Sequence, residues 1–163
     1  MKLRIGLGVD THRLEDGIPL FIGGVKIPFH KGSLGHSDGD VLIHALCDSI
    51  LGALNLGDLG FYFPSEDESI RGLRSSIILK KINELLQENN ASIVNIDSTI
   101  ILQRPKLKNY ISDMKDVICS ILHIEKEKLS IKSKTTDHLG LIGQGDAISA
   151  MSTVLLEVHR NPS

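Results

Sequence analysis

KLRIGLGVDTH, residues 2–12, sets Leu3, Ile5, Leu7 and Val9 at every second position. A period of two predicts a β-strand. Lys2, Arg4, Gly6, Gly8, Asp10 and His12 then share the other face, because successive side chains point to opposite sides of a strand. The carboxylate of Asp10 and the imidazole of His12 stand together on it. Further on, HSDGDVLIHALCD, residues 36–48, supplies His36, Asp38, Asp40, His44 and Asp48. The two stretches raise one question: what do so many carboxylates and imidazoles near the start of a chain serve?

Beyond the first strand, IPLFIGGVKIPF reads as a hairpin turning at Gly23-Gly24. HKGSLGHSDGD reads as a polar loop, and Ser37 followed by Asp40 matches a capping box with Asp in place of Glu. The helix it starts is predicted from about Asp40 to Leu54, with Leu42, Ala45, Leu46, Ser49 and Ala53 on one face. Asp40, His44 and Asp48 stack on another, at i, i+4, i+8. NLGDLGFYFPSEDES reads as a loop and IRGLRSSIILKKINELLQ as a second helix. ASIVNIDSTIIL predicts a strand, Lys106–Leu122 a third helix, KLSIKSKTTD a strand, HLGLIGQGD a glycine turn and AISAMSTVLLEV a last strand. The fold class expected is α+β, a mixed β-sheet with helices on one face in a ferredoxin-like arrangement.

The chain has 163 residues with no Pro/Ser-rich linker, so residues 1–163 form one domain. A net charge of −2 gives no sign of nucleic acid or an anionic membrane as partner. No apolar stretch approaches the ~20 residues that cross a bilayer, and the start has no signal-peptide layout. The two cysteines, Cys47 and Cys119, have no paired spacing and read as reduced, buried thiols. A cytoplasmic location fits.

Asp-x-His on a strand offers a carboxylate oxygen and an imidazole nitrogen to zinc, and His44 is the best candidate for a third ligand. Asp40 or Asp48 would accept the other N–H of His44. The plain alternative is that Asp10 caps a turn and both histidines are surface groups. GHSDGD at a helix start invites an anion, with His36 as an added donor; a capped helix start alone explains it too. KTTD offers two hydroxyls and a carboxylate to phosphate and a hard divalent ion, against the plainer reading of a Thr-rich strand end.

The stretches GLGVDTHR, FIGGVKIPFHKGSLGHSDGDVLIHALCDSILGALNLGDLGFYFP, DSTIILQRPKL and KSKTTDHLGLIGQGDAI, in that order, resemble the 2-C-methyl-D-erythritol 2,4-cyclodiphosphate synthase family. The resemblance implies ring closure of a CDP-linked methylerythritol 2-phosphate, with CMP leaving, in non-mevalonate isoprenoid synthesis. It implies zinc on Asp10, His12 and His44, and a second divalent ion, Mg²⁺ or Mn²⁺, on Asp137. His36 and Thr135 would align the substrate and stabilise the transition state. Substrate contacts would fall to Asp10, Thr11, His12, His36, Ser37 and Asp48, then to Asp58, Leu59, Gly60, Phe63, Pro64, Ser65, Glu66 and Asp67. A cytidine-diphosphate pocket would use Leu102, Gln103, Arg104, Pro105, Lys106, Leu107 and Lys108, with Lys134, Thr135, Thr136 and Asp137. The family is a homotrimer with sites between subunits, and Leu141 and Gln144 would line its axial cavity. Here the sequence departs from the family pattern: Asp137 replaces Glu, Ser65 replaces Asp, Lys134 replaces Thr, and Leu141 and Gln144 replace Phe and Arg. Two other classes stay open: a non-catalytic zinc-containing nucleotide binder, and a metal-dependent phosphohydrolase.

Overall fold

The computed structural model describes residues 2–64, 66–68 and 71–159. The first stretch forms a longer strand than its period-two run requires, β1, Lys2–Asp16. The hairpin follows as β2, Leu20–Ile22, and β3, Val25–Ile27, turning at Gly23-Gly24. Both glycines have positive φ, 61° and 77°, the backbone of a tight hairpin turn. A short β4, Lys31–Ser33, leads to helix α1, Val41–Leu54. Then come α2, Leu59–Tyr62; α3, Ser75–Glu88; β5, Ala91–Ile101; α4, Ile111–Leu122; β6, Leu129–Lys134; α5, Gly140–Gln144; and β7, Ala147–Val158.

The main sheet runs β4-β1-β7-β5-β6. It is mixed: β5 and β6 are parallel, joined through α4, and the other pairs are antiparallel. Strand β1 lies along β7 from Lys2↔Val158 to Arg13↔Ala147. The α+β class and mixed sheet are as expected.

The central helix α1 lies across β1 and β7. Its residues are apolar nearly all round, and Val41, Leu42, Ile43, Leu46, Ile50 and Leu51 are fully buried. Each such side chain contributes about 1.5–3 kcal/mol by leaving water. The face of β1 that α1 covers carries Gly6 and Gly8. A Cβ on Gly6 would stand 1.8 Å from the Ser49 carbonyl oxygen, and one on Gly8 2.0 Å from that of Ala45. Two missing side chains thus let helix and strand backbones touch. The apolar row of β1 points the other way and is open to solvent: Leu3, Ile5, Leu7 and Val9 are 53–72% exposed.

Four local readings change. The third helix starts at Ile111, not Lys106, after a 3-10 turn over Lys108–Tyr110. The NLGDLGFYF stretch holds the single turn α2, capped by the Asp58 side chain accepting from the Phe61 N–H. The second helix starts at Ser75, not Ile70, which lies outside the described residues. The HLGLIGQGD segment winds into α5 before Gly145 ends it with φ 82°. Glycines there read as a turn because a five-residue helix has too little length for periodicity to register.

Candidate metal centre and active site

The site begins where β1 and α1 touch. Asp10 and His12 project from the glycine face of β1, and His44 from the first turn of α1. The Asp10 Oδ2 atom is 2.8 Å from His12 Nε2 and 3.0 Å from His44 Nδ1. One ligand atom from each of the three residues lies within 4.8 Å of the others. Asp10 and His44 are 34 positions apart in sequence, and the close strand–helix contact brings them together.

The opposite nitrogen of each imidazole is already engaged. His12 Nδ1 lies 2.7 Å from the Leu34 carbonyl oxygen. A carbonyl only accepts, so Nδ1 carries the proton and Nε2 turns towards Asp10. His44 Nε2 lies 3.0 Å from Ser75 Oγ and 3.1 Å from Ser37 Oγ. A carboxylate oxygen and two ring nitrogens therefore converge on one point, and only a proton or a cation among them relieves their repulsion. The donor set, two imidazoles and a carboxylate, is one that zinc takes. Burial raises the Asp10 pKa, but hydrogen bonds and charge from His12 and His44 outweigh it and hold the carboxyl well below its ordinary range. His12 is opposed by burial yet raised, by the Asp10 and Leu34 bonds.

Asp40 and Asp48 do not accept from His44. Asp40 is fully buried and caps α1 itself, accepting from Ile43 N–H at 3.1 Å, Gly23 N–H at 2.9 Å and Gly24 N–H at 2.6 Å. Burial raises its pKa, and the three N–H bonds partly offset that. The anion that the helix start invites is thus the protein's own carboxylate, and Ser37 is not the cap. Ser37 Oγ accepts instead from Gly39 N–H and faces His44. Asp48 accepts from Leu59 N–H at 2.7 Å and so ties α2 to α1; burial raises its pKa as well. Cys47 and Cys119 are buried and unbridged. Burial pushes the Cys47 thiol well up, which suits packing and not ligation.

The expected contacts fall into separate groups. Asp10, His12, His36, Ser37, His44, Leu59, Gly60 and Phe63 line one cavity of about 320 Å³, closed by Leu73 and Ile78. Leu102, Gln103, Pro105, Lys106, Leu107, Lys108, Lys134 and Thr135 line another of about 210 Å³. Leu102 and Leu107 are themselves buried, so they offer the cavity little surface. Arg104 and Gln144 share a third hollow with His138. Thr11 and Leu141 line a fourth, on the open side of β1. Thr136 Oγ1 donates to the Leu139 carbonyl, and Thr135 Oγ1 to Asp137, in the turn where Asp137 and His138 both have positive φ. Pro64, Glu66 and Asp67 are exposed beyond α2, and Ser65 lies outside the described residues.

Sequence reasoning missed Ser75 and counted Asp38 among the carboxylates without giving it a partner. Ser75 is fully buried at the start of α3 and gives both its N–H and its hydroxyl to the Asp38 carboxylate. No local signal marks this pair, since the two residues lie 37 positions apart.

The YgbB family model matches residues 3–157. The chain is 50% identical over 155 residues to the 2-C-methyl-D-erythritol 2,4-cyclodiphosphate synthase of Fusobacterium nucleatum subsp. nucleatum, covering 95% of this chain and 97% of that one. Among solved structures it superposes on IspF of Plasmodium falciparum, a CDP complex, with TM-score 0.85 and 36% identity over 97% of each chain. It superposes on the bifunctional IspDF of Campylobacter jejuni with TM-score 0.93 and 35% identity, covering 97% of this chain and 43% of that longer one. Sequence and fold agree over almost the whole length, and the chain belongs to the YgbB family.

Proposed function

We propose that this chain is a 2-C-methyl-D-erythritol 2,4-cyclodiphosphate synthase of non-mevalonate isoprenoid synthesis, a phosphorus–oxygen lyase. The 2-phosphate of 4-CDP-2-C-methyl-D-erythritol 2-phosphate attacks the β-phosphorus. The bond from that phosphorus to the bridging oxygen breaks, and CMP departs with the oxygen. The observation that carries the reading is the convergence of Asp10, His12 and His44 at the wall of a cavity also lined by His36 and Ser37.

The nucleophile is the substrate's own phosphate, so the protein needs to position and to stabilise charge. Asp10, His12 and His44 would hold zinc, which supplies Lewis-acid polarisation of a phosphoryl oxygen. His36, exposed at the cavity edge, donates to phosphate, and the Ser37 hydroxyl adds a further donor. Leu59, Phe63 and Ile78 give the same cavity an apolar wall that seats the carbon skeleton and limits competing water. Lys106, Lys108 and Lys134 bring three ammonium groups to the cavity beside Thr135, a lining suited to a nucleoside diphosphate. Asp137, an exposed carboxylate, would take Mg²⁺ or Mn²⁺ jointly with substrate oxygens, as Mg²⁺ commonly binds.

A homotrimer completes the proposal, with the two cavities supplied to one site by neighbouring subunits. In its favour stand the separation of the cavities within one chain and the apolar row Leu3, Ile5, Leu7 and Val9 left open on β1. The ferredoxin-like arrangement belongs to the proposal too, supported by a sheet with α1, α3 and α4 on one face and a β5–α4–β6 crossover. No described helix is long and apolar enough to cross a membrane, and a cytoplasmic location is proposed.

The test is to incubate the zinc-loaded protein with the CDP-linked diol phosphate and follow ³¹P NMR. Cyclic diphosphate with stoichiometric CMP is expected. An open-chain product would make it a phosphohydrolase, and bound metal without turnover would make it a nucleotide binder.

A further inference from the structure

We infer that Asp38 and Ser75 form a relay that fixes the tautomer of His44, making both of them positioning residues for the metal centre. The inference rests on the proposed metal reading only for its consequence; the relay itself follows from hydrogen-bond counting.

A serine hydroxyl has one proton and two lone pairs. The Ser75 proton goes to Asp38 Oδ1, while the Ser75 backbone N–H goes to Asp38 Oδ2 at 2.9 Å. The carboxylate grips both donors at once, so the hydroxyl cannot rotate away. What Ser75 Oγ then presents to His44 Nε2, 3.0 Å off, is a lone pair. Nε2 therefore carries a proton, with Ser37 Oγ as a second acceptor at 3.1 Å, so that a cation taking the place of any proton between Nδ1 and Asp10, 3.0 Å apart, meets the Nδ1 lone pair. His12 reaches the equivalent state by donating to the Leu34 carbonyl, which needs no second residue. His44 depends on two side chains. Histidine ligands are generally oriented by such acceptors on their free nitrogen.

The relay also has a mechanical side. Asp38 N–H donates to the Leu73 carbonyl and Gly72 N–H to that of His36. Residues 36–38 and 72–75 are thereby stitched together beside the ligand, and the start of α3 is held against the first turn of α1. The Ser37 hydroxyl, which accepts from Gly39 N–H, keeps its own proton for a ligand in the cavity.

Asp38→Asn separates this role from simple packing. The Ser75 N–H, 2.9 Å from Oδ2, holds its acceptor more firmly than the Asp40 N–H, 3.4 Å from Oδ1, so the Asn oxygen takes the Oδ2 side and its NH₂ faces Ser75 Oγ. The hydroxyl is then driven to donate to His44 Nε2, and the ring proton moves to Nδ1. Long-range ¹H–¹⁵N spectra of the metal-free protein are expected to show a proton on His44 Nε2 in wild type, and in Asp38→Asn a bare Nε2 with the ring proton on Nδ1. Zinc affinity, measured by chelator competition, is expected to fall about 10- to 100-fold, with an unchanged circular dichroism spectrum. Ser75→Ala, which removes the hydroxyl without altering charge, is expected to weaken zinc to a smaller extent and to leave both tautomers populated; it replaces Asp38→Asn should that variant not fold. An Nε2–H His44 in either variant, with zinc affinity as in wild type, would overturn the relay. Should the wild-type protein bind no zinc, the metal reading falls, and the tautomer spectra of the metal-free proteins still decide the relay.

Discussion

The two faces of β1 obey opposite rules. One bears Gly6, Gly8, Asp10 and His12, is poor in carbon, and is the more tightly covered. The other bears Leu3, Ile5, Leu7 and Val9 and lies open. Burial of the first follows from shape: without Cβ atoms, the α1 backbone descends onto the strand and carries His44 down to Asp10. The same contact that packs the core therefore sets the distances among Asp10, His12 and His44. The lesson is that apolar character alone does not choose which face of a strand a helix takes, since α1 brings its own hydrophobic surface and needs room for it.

Filling the covered face has the largest expected effect. Gly8→Val puts carbon where the Ala45 carbonyl oxygen stands 2.0 Å from an ideal Cβ, so strand and helix must separate. Overpacking usually costs about 1–3 kcal/mol; a backbone collision with no flexible side chain to yield belongs above that, at about 5 kcal/mol, comparable with the whole stability of a small domain. Urea unfolding followed by circular dichroism reads this directly. A Gly8→Val protein with a wild-type midpoint would mean that the contact is looser than described. Next in size is His44→Ala. It leaves the fold standing, removes one of three converging donors, and is expected to abolish stoichiometric zinc binding and to lower turnover by about a thousandfold, in line with the several kcal/mol that a metal supplies at a phosphoryl centre. Metal analysis and the ³¹P assay check both parts; a variant that keeps its zinc removes His44 from the ligand set.

A subtler probe is pH. His12 is raised above its ordinary 6.5 in the folded, metal-free protein. Its stabilising contribution is complete below 6.5 and is lost as pH rises through the folded value. Metal-free stability is therefore expected to decline as pH rises above 6.5, by no more than the single-proton ceiling of about 1.4 kcal/mol per unit. Zinc displaces that proton, so the extra stability gained on adding zinc is expected to grow over the same interval. Thermal unfolding at four pH values, with and without zinc, tests it, and parallel curves would detach His12 from the centre.

Much of this was legible in residue order. Period two marked β1, and Asp10, His12 and His44 stood out by donor type and by their place on one face of a strand and an early helix turn. The long strands and α4 followed from their periodicity. What escaped was whatever tertiary contact alone decides. Ser37 looked like the cap of α1, but Asp40 wins it because the hairpin glycines deliver two further N–H groups to the same carboxylate. Asp40 and Asp48 looked like partners of His44 by helical spacing, yet one is consumed by capping and the other by α2. Asp38 and Ser75 are joined only once α3 has docked.

The gentlest test acts on the open face. Ile5 is 72% exposed and Leu7 61%, so neither buries much area against its own chain. Replacing both with Lys is expected to change the stability of a single chain by about 0.5 kcal/mol or less, the usual range for surface positions. The Gly8→Val change, on the adjacent residue but the opposite face, is expected to cost about ten times as much. If copies of the chain cover this face, the two new ammonium groups have to be desolvated on assembly, and sedimentation will report single chains where wild type gives trimers. Activity would fall with the mass, because the lysine-lined cavity of one subunit would no longer meet the Asp10 centre of another. Zinc binding, which needs only β1 and α1 of one chain, would persist. A double variant that is single-chain, zinc-bound and fully active would place the complete site within one subunit and remove the reason for the open face to be covered at all.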